Sequence, residues 1–196
     1  MRIISGTKRS TALCSPEGEE IRPTIDRVKE GIFSAIQFEL QNKRVLDLFC
    51  GTGQLALEAL SRGADYAIMC DQSPKACALI KKNIEKTLFN NQCELYNLDY
   101  KVALSKIKQD SIDIVFLDPS YKTNLLSDAL NILCNGNILS QKAIIICEAE
   151  KGENFFEEIG AFKIRKKYKY GKVEVVIYQR KDQLWRLQYA PVVLTL

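Results

Sequence analysis

The chain has 196 residues, 46% of them hydrophobic and 27% charged, which fits one ordinary globular domain. No apolar run reaches the roughly 20 residues of a membrane span, and the first residues lack the apolar core of a signal peptide, so we expect a cytoplasmic protein. Histidine is absent and no two of the seven cysteines have C-x-x-C spacing. A histidine base is therefore excluded, and we expect no metal site.

The first forty residues are predicted to form an arm and a helix. A short strand or arm around residues 2–4 leads into a polar loop, and Thr24 can cap a helix that starts there. Apolar residues then recur at roughly helical spacing, at Val28, Ile32, Phe33, Ile36 and Phe38.

The rest of the chain alternates short apolar strands with helices. The predicted strands span residues 44–49, 66–70, 93–98, 112–117, 143–147, 161–168 and 173–178. The predicted helices span residues 55–61, 74–89, 102–107, 125–133 and 155–159. Such alternation is typical of a parallel sheet that is covered on both faces.

We therefore predict an α/β fold with a Rossmann-like, doubly wound, seven-stranded sheet. The sheet is expected to be mostly parallel, with an antiparallel terminal strand pair and a short N-terminal extension. One domain is expected, with an arm and helix at 1–40, a core at 41–180 and a tail at 181–196 to which the sequence assigns no role.

The first strand ends in a loop whose residues suit a nucleoside ligand. They are Asp47, Phe49, Cys50, Gly51, Thr52 and Gly53. Two glycines allow a sharp turn and a close approach of the backbone to a ligand. Asp71 ends the second strand beside Gln72, where a carboxylate can accept hydrogen bonds from two ribose hydroxyls. Asp99, just past the third strand, can cap an adenine amino group.

A dinucleotide enzyme is the rival interpretation of this loop. Gly51, Gly53 and Ala56 fit the G-x-G-x-x-G/A pattern, and Tyr168 with Lys172 has the Y-x-x-x-K spacing of some hydride-transfer enzymes. That pair lies in a strand-like run, however, where the two side chains are not placed together as they are on one face of a helix.

A second motif, Asp118-Pro119-Ser120-Tyr121, follows the fourth strand. An exocyclic amine is a poor nucleophile because its lone pair is delocalised into the ring. The Asp118 carboxylate and the Pro119 carbonyl can accept its two N–H bonds, and Tyr121 can stack on the base. The base must be flipped out or unpaired for this contact. Read alone, the motif is equally a turn.

The net charge of +4 is mild but unevenly distributed. One basic cluster comprises Arg2, Lys8, Arg9, Arg22, Arg27 and Lys29, and the other comprises Lys163, Arg165, Lys166, Lys167, Lys169 and Lys172. A charge run is usually a solvated face, but two clusters beside a base-binding motif favour contact with phosphates.

Four segments of the chain resemble the bacterial RsmD-type methyltransferases. They are R-I-I-S-G at 2–6, R-P-T-I-D-R-V-K-E-G-I-F at 22–33, D-L-F-C-G-T-G at 47–53 and L-E-A-L-S-R-G-A at 57–64. Gly171 and the strand after it are similar to the family's last strand. The resemblance covers residues 2 to about 180 and is most specific at 22–33.

The resemblance implies transfer of a methyl group from S-adenosylmethionine to the N2 amine of a guanine in small-subunit (16S) ribosomal RNA. It implies that the loop residues, Asp71 and Asp99 hold the cofactor, and that Asp118, Pro119 and Tyr121 hold the guanine. The segment containing Arg22, Thr24 and Arg27 would border the active site and the RNA. We expect a monomer that acts on ribosomal RNA, with Lys8, Arg9 and Ser120 also near the substrate.

The chain departs from the family pattern at two positions. Ser120 replaces the second proline of the family's D-P-P-[FY], which removes a restraint on the loop backbone, and Ser10 stands where the family usually has glycine. An amine-binding loop of this kind equally serves an adenine N6 amine in DNA or a glutamine amide in a protein. A nucleotide-dependent oxidoreductase and an inactive RNA-binding module remain as alternatives of other classes.

Overall fold

The computed structural model describes residues 1–16, 23–119 and 124–183 of the chain. The strands are β1 Arg44–Asp47, β2 Tyr66–Cys70, β3 Cys93–Tyr96, β4 Ile112–Leu117, β5 Leu139–Glu150, β6 Glu158–Ile159, β7 Phe162–Tyr170 and β8 Val173–Arg180. The helices are α1 Pro23–Ala35, α2 Gln54–Ser61, α3 Pro74–Thr87, α4 Tyr100–Lys106 and α5 Leu125–Asn135. A short 3-10 turn follows at Lys181–Gln183, and the remainder of the predicted tail lies outside the described residues.

The strands form one sheet in the order β3-β2-β1-β4-β5-β8-β7-β6. β1 to β5 are parallel to one another, and β8, β7 and β6 add antiparallel pairs at one edge. The order reverses between β1 and β4, and in such sheets ligands bind beyond the strand ends at this switch point. The predicted fold class is confirmed.

The described sheet has eight strands where the sequence predicted seven, and the predicted helix at 155–159 was wrong. That segment is irregular except for the two residues of β6, of which Ile159 pairs with Phe162. Five residues are too few to offset the cost of starting a helix. Gly160, with φ of +53°, instead turns the chain into an antiparallel pair.

The helices cover both faces of the sheet, with a separate hydrophobic core on each side. One core lies under α1, α2 and α3, and the other under α4 and α5. Four of the five apolar positions predicted for α1 are buried, namely Val28, Ile32, Phe33 and Ile36. The fifth, Phe38, lies beyond the end of the helix and is 92% exposed, so the predicted apolar pattern was one residue too long.

The N-terminal arm is a narrow loop that lies along α2. Arg2 bridges to Ala12, and the turn between them reaches Ser61 at the last turn of α2, where the Lys8 amide donates to the Ser61 hydroxyl. Ser10 in this turn has φ of +71°, a conformation that glycine adopts without strain, which gives a physical reason for the family's glycine there.

A buried carboxylate ties the arm to both α1 and α2. Glu58 is fully buried and accepts the Ile4 and Ser5 amides at 2.7 and 3.0 Å and the Arg62 Nε at 2.7 Å. Lys29 of α1 lies 3.8 Å from the same carboxylate and donates to the Arg2 carbonyl at 2.7 Å. The arm, α1 and α2 therefore meet around one buried carboxylate, which pairs with both Lys29 and Arg62.

No helix in the described part of the chain is long and apolar enough to cross a membrane.

Candidate active site

A cleft of about 1000 Å³ lies at the carboxyl ends of the parallel strands. It brings together nine of the residues predicted for the site: Asp47, Phe49, Cys50, Gly51, Thr52, Asp71, Gln72, Asp118 and Pro119. It also contains Glu148 and Glu150, which the sequence interpretation had not assigned, and Lys29 and Lys172, which it had placed in the two basic clusters. The loops after β1 and β4 thus share one cavity, as their positions at the strand ends predicted.

The glycine-loop side of the cleft comprises residues 47–52, 54–55, 71–72, 98 and 100. Gly51 and Gly53 have φ of +55° and +75°. A Cβ atom at Gly51 would meet nothing within 4 Å, so space for a ligand lies in front of the loop. A Cβ at Gly53 would lie 3.3 Å from the Met69 sulfur, because α2 begins close against β2 there. Gly53 is therefore a packing residue behind the cleft.

Asp71 holds the loop in place from the neighbouring strand end. One carboxylate oxygen accepts the Gly51 amide at 2.9 Å, and the other accepts the Ser73 amide at 2.8 Å. Each oxygen retains a further lone pair. The carboxylate is thus oriented before any ligand arrives.

Asp47 is buried at the base of the cleft. Its Oδ2 accepts the Ala56 amide at 3.3 Å, whereas Oδ1 has no hydrogen-bond partner among the described residues. Burial raises the pKa of Asp47 to about 8, and the negative charges of Asp118 and Asp71 add to the increase. An unpartnered, buried carboxylate oxygen is costly, so a cation or a donor from a ligand would be strongly favoured there.

Apolar and aromatic side chains form the wall beyond Asp71. The rings of Phe49 and Tyr100 lie 5.4 Å apart, and Leu98 lines the cleft beside them. Asp99, which lies between Leu98 and Tyr100 in the sequence, is exposed and caps α4 by accepting the Lys101 amide at 2.9 Å. The structure therefore places Asp99 at the rim, while its two neighbours line the cavity.

Cys50 also lines the cleft but is not suited to act as a nucleophile. Burial, together with the carboxylates of Asp47 and Asp71, raises its pKa well above the ordinary range for a thiol. The thiolate is the reactive form of cysteine, so this residue remains an inert thiol at neutral pH.

Asp118 and Pro119 lie in the middle of the cleft, directly after β4. Asp118 is half-buried, and loss of hydration raises the pKa of its carboxyl to about 6. At neutral pH it is therefore an acceptor for a ligand N–H. Ser120 and Tyr121, the rest of this motif, lie outside the described residues.

The hairpin side of the cleft comprises Val28, Lys29, Glu148, Glu150 and residues 171–173. Here α1 packs against the turn between β7 and β8, and a Cβ at Gly31 would overlap the Tyr170 hydroxyl. Only a residue without a side chain lets the hairpin approach the helix so closely. The contact brings Lys172 to the cleft from a position more than a hundred residues away in sequence.

The residues predicted to contact RNA are spread over the surface. Arg27 is exposed on α1, near the hairpin side. Lys8 and Arg9 lie at the far end of α2, whose eight residues separate them from the glycine loop by about 12 Å. Arg22 and the side chain of Thr24 lie outside what the structure describes.

The second basic cluster is partly neutralised. Arg165 pairs with Glu39 at 2.7 Å and Lys167 with Glu157 at 2.7 Å. Lysines also protect the open edge of a sheet against pairing with other strands. Among the described residues, β6 covers only two residues of that edge of β7, Phe162 and Lys163. Of this cluster, Lys172 is the member that lines the cleft.

Similarity to known proteins is consistent along nearly the whole chain. The family described as "Conserved hypothetical protein 95" matches residues 1–179. The Ribosomal RNA small subunit methyltransferase D of Escherichia coli is 32% identical over 93% of this chain and 91% of its own length. The chain belongs to the RsmD methyltransferase family. The Bacillus subtilis protein YlbH is 33% identical over 92% of this chain and 100% of its own length.

Solved structures show the same relationship. The Escherichia coli protein yhhF has a TM-score of 0.80 at 31% identity, covering 92% of this chain and 97% of its own. A Streptococcus pyogenes protein has a TM-score of 0.73 at 34% identity, covering 79% and 96%. The family resemblance predicted from the four sequence segments is thus confirmed.

Proposed function

We propose that this protein is an S-adenosylmethionine-dependent methyltransferase that modifies the N2 amine of a guanine in small-subunit ribosomal RNA. One observation carries the proposal: Asp118 and Pro119 open into the same cleft as the glycine loop and the unpartnered oxygen of Asp47. Membership of the RsmD family adds the RNA, since the Escherichia coli relative is named for methylation of the small ribosomal subunit.

The glycine-loop side fits S-adenosylmethionine. The buried Oδ1 of Asp47 suits the ammonium of the methionine part, which would offset the cost of leaving that oxygen unpaired. The open space at Gly51 admits the ligand backbone, and Asp71 can accept the ribose hydroxyls. Phe49, Leu98 and Tyr100 provide an apolar wall for the adenine, with Gln72 beside it in the cleft and the exposed Asp99 between Leu98 and Tyr100 in the sequence.

Asp118 and Pro119 would hold the amine that receives the methyl group. The bound cofactor supplies a methyl group that is already activated by its sulfonium. The Asp118 carboxylate and the Pro119 carbonyl each accept one N–H, which favours a pyramidal nitrogen with its lone pair free. Positioning of this kind can contribute much of the rate. Tyr121 stacking on the base, with Ser120 beside it, remains our prediction.

Arg22, Thr24 and Arg27 would contact the RNA beside the cleft. Arg27 is exposed on α1, the helix whose Val28 and Lys29 line the cavity. Lys8 and Arg9 would reach phosphates further away, because they lie at the opposite end of α2. We propose that a cytoplasmic monomer acts on RNA within the small ribosomal subunit or its assembly intermediate.

Radiolabelled S-adenosylmethionine tests the proposal directly. The protein is offered small ribosomal subunits, naked ribosomal RNA, duplex DNA and a protein mixture in parallel, and cofactor binding is measured by calorimetry. We expect label in ribosomal RNA. Label in DNA or protein alone would contradict the RNA assignment, and an absence of cofactor binding would contradict the methyltransferase assignment as a whole.

A further inference from the structure

Glu148 lies on the hairpin side of the cleft, where no role in the proposed reaction has been assigned. It is half-buried near the end of β5 and lines the same cavity as Asp118 and Pro119. Along β5, Ile144 and Ile146 belong to the core under α1, and Glu148 continues this alternation. The side chain therefore lies on the face of the sheet that α1 covers, beside Val28 and Lys29.

The register of the sheet places Glu148 next to Asp118. Leu117 of β4 pairs with Cys147 of β5 in parallel, and each is followed by one of these two acids. Neighbouring strands are about 4.8 Å apart, so the two residues start one strand spacing from each other. A base held by Asp118 would present its adjoining edge to Glu148.

The hydrogen-bonding edge of guanine needs a third acceptor. Its N2 amine carries two N–H donors, which Asp118 and the Pro119 carbonyl would accept, and the neighbouring N1 carries one more. Adenine has an unprotonated N1 beside its N6 amine, and a glutamine amide has a carbonyl oxygen beside its amine. Both would direct a lone pair at a carboxylate in this position, which is unfavourable.

We propose that Glu148 accepts the N1–H of the target guanine and thereby selects guanine against adenine and glutamine. This inference rests on the proposed function, because it takes the base to be held by Asp118. Glu148 is then a specificity-determining residue. Amine-binding loops of this kind serve enzymes with several classes of substrate, and Glu148 would explain why this cleft accepts guanine.

The charges around Glu148 are consistent with this role. Lys29 and Lys172 line the same side of the cleft as Glu148, so two basic side chains share this part of the cavity with the carboxylate. Lys29 is already engaged, since it lies 3.8 Å from Glu58 and donates to the Arg2 carbonyl. Glu150, two residues further along the same face of β5, is exposed at the mouth of the cavity.

A base analogue separates recognition of N1–H from the chemistry at N2. The wild-type protein is first used to map the modified nucleotide on small ribosomal subunits by mass spectrometry of nuclease digests. Subunits are then reconstituted with guanine or 2-aminopurine at that nucleotide. 2-Aminopurine retains the amine but has a lone pair in place of N1–H. For the wild type we expect kcat/KM to favour guanine by about 10- to 100-fold, the effect of one hydrogen bond to a charged acceptor.

Two variants at Glu148 are compared with a control. Glu148→Ala removes the acceptor, and Glu148→Gln can either accept N1–H or donate to N1. Both substitutions are expected to reduce the preference for guanine over 2-aminopurine to about 3-fold or less, because neither side chain repels the lone pair at N1 of 2-aminopurine as a carboxylate does. Glu153→Gln removes a carboxylate from the exposed loop after β5, outside the cleft, and is expected to retain the wild-type preference.

The results distinguish this inference from the proposed function. A Glu148→Gln protein that binds S-adenosylmethionine normally and still prefers guanine by the wild-type ratio would overturn the role of Glu148 alone. A wild-type protein that methylates an adenine, or no nucleotide of the subunit, would overturn the proposed function and this inference together. Equal wild-type rates on the two bases would also overturn the inference while leaving N2 methylation intact.

Discussion

The two sides of the cleft are built in different ways. The glycine-loop side comes from consecutive strand ends within about fifty residues, and neighbouring strand ends are hydrogen-bonded to each other, as Gly51 is to Asp71. The hairpin side is assembled from α1 and from β5 and the turn at Gly171, which lie more than a hundred residues after α1 in the sequence. The first side is therefore a local motif that many proteins can share, whereas the second depends on this particular fold.

Glu58 joins the two sides, and its removal should have the largest effect. The residue is on α2, which begins at the glycine loop, and it lies 3.8 Å from Lys29 on the hairpin side. In Glu58→Ala two backbone amides and the Arg62 Nε lose their acceptor and the buried Lys29 loses the opposite charge beside it, so we expect the free energy of unfolding to fall by roughly 3–5 kcal/mol. Urea denaturation measures this, with the exposed Glu85→Ala as control. A loss no larger than that of the control would show that the sides are joined by other contacts.

Asp118→Ala should separate chemistry from cofactor binding. Because Asp118 would hold the amine and not the cofactor, we expect the rate of methyl transfer to fall about 100- to 1000-fold. The dissociation constant of S-adenosylmethionine should change by no more than about 2-fold, since the glycine-loop side is intact. Single-turnover kinetics and calorimetry measure the two quantities. Full activity in this variant would refute the proposed mechanism.

The same carboxylate predicts an acidic limit to activity. The raised pKa of Asp118, about 6, means that the carboxyl becomes protonated as the pH falls through that value and loses one of its acceptor positions. At saturating cofactor, kcat/KM for RNA should decrease tenfold per pH unit below it. Asp118→Asn has no such titration and should show no acidic decrease. A wild-type profile that is flat from pH 5 to 8 would contradict this.

Asp47 gives the corresponding test of the glycine-loop side. Its pKa of about 8 means that the carboxyl is mostly protonated at pH 7 in the absence of ligand. A ligand ammonium favours the ionised form, so binding should release a proton, and affinity should increase between pH 6 and 7.5. Asp47→Asn should weaken binding about 10- to 100-fold and remove the pH dependence. Calorimetry in buffers of different ionisation enthalpy measures the proton, and unchanged heats across buffers would argue against the assignment.

The stability of the protein without cofactor should depend on pH in the opposite sense to its affinity for the cofactor, again because of Asp47. The folded-state pKa of about 8 lies above the ordinary aspartate value of 3.8, so the folded protein binds more protons than the unfolded chain between these pH values and loses stability as the pH rises. Asp47→Asn removes the buried charge and should therefore be more stable than the wild type at pH 8 by roughly 1–3 kcal/mol. At pH 4 the difference should nearly vanish. Thermal melting without cofactor at the two pH values measures this.

Lys172 should have the smallest effect. It lines the hairpin side, where a phosphate of the RNA can reach it, and a single exposed contact is worth little. We expect Lys172→Ala to weaken RNA binding about 3- to 10-fold at low salt and to reduce the slope of log affinity against log salt by about 1. Lys142→Ala, at an exposed position on β5 outside the cleft, is the control. An equal effect of both substitutions would show that only the net charge matters.

The contrast between the two sides also explains what could be predicted from the sequence. The loop after β1 and Asp71 after β2 could be predicted to lie at the strand ends, because a strand and the turn that follows it are formed by adjacent residues of the sequence. Glu148 was not assigned to the site, although it directly follows the predicted strand at 143–147, because its position beside Asp118 depends on the pairing of β5 with β4. Lys29 was interpreted as part of a basic cluster, since nothing near it in the sequence shows that it is buried beside Glu58.

Strand pairing explains the remaining differences in the fold. β5 was predicted to end at 147 but continues to Glu150, because pairing with β8 supports the extra residues. β6 has only two residues, which are too few to show a strand-like alternation of apolar residues in the sequence, and it is a strand because both residues pair with β7. Lys8 and Arg9 were grouped with Arg27 by their spacing in sequence, yet the arm carries them to the opposite end of α2.

The identity of the methylated nucleoside tests the central claim most directly. Small ribosomal subunits are incubated with the protein and labelled S-adenosylmethionine, and their RNA is digested to nucleosides and separated by chromatography with mass detection. A cleft that holds the amine through Asp118 and Pro119 beside Glu148 predicts N2-methylguanosine as the labelled product. N6-methyladenosine, or label on a ring nitrogen or a ribose, would contradict it.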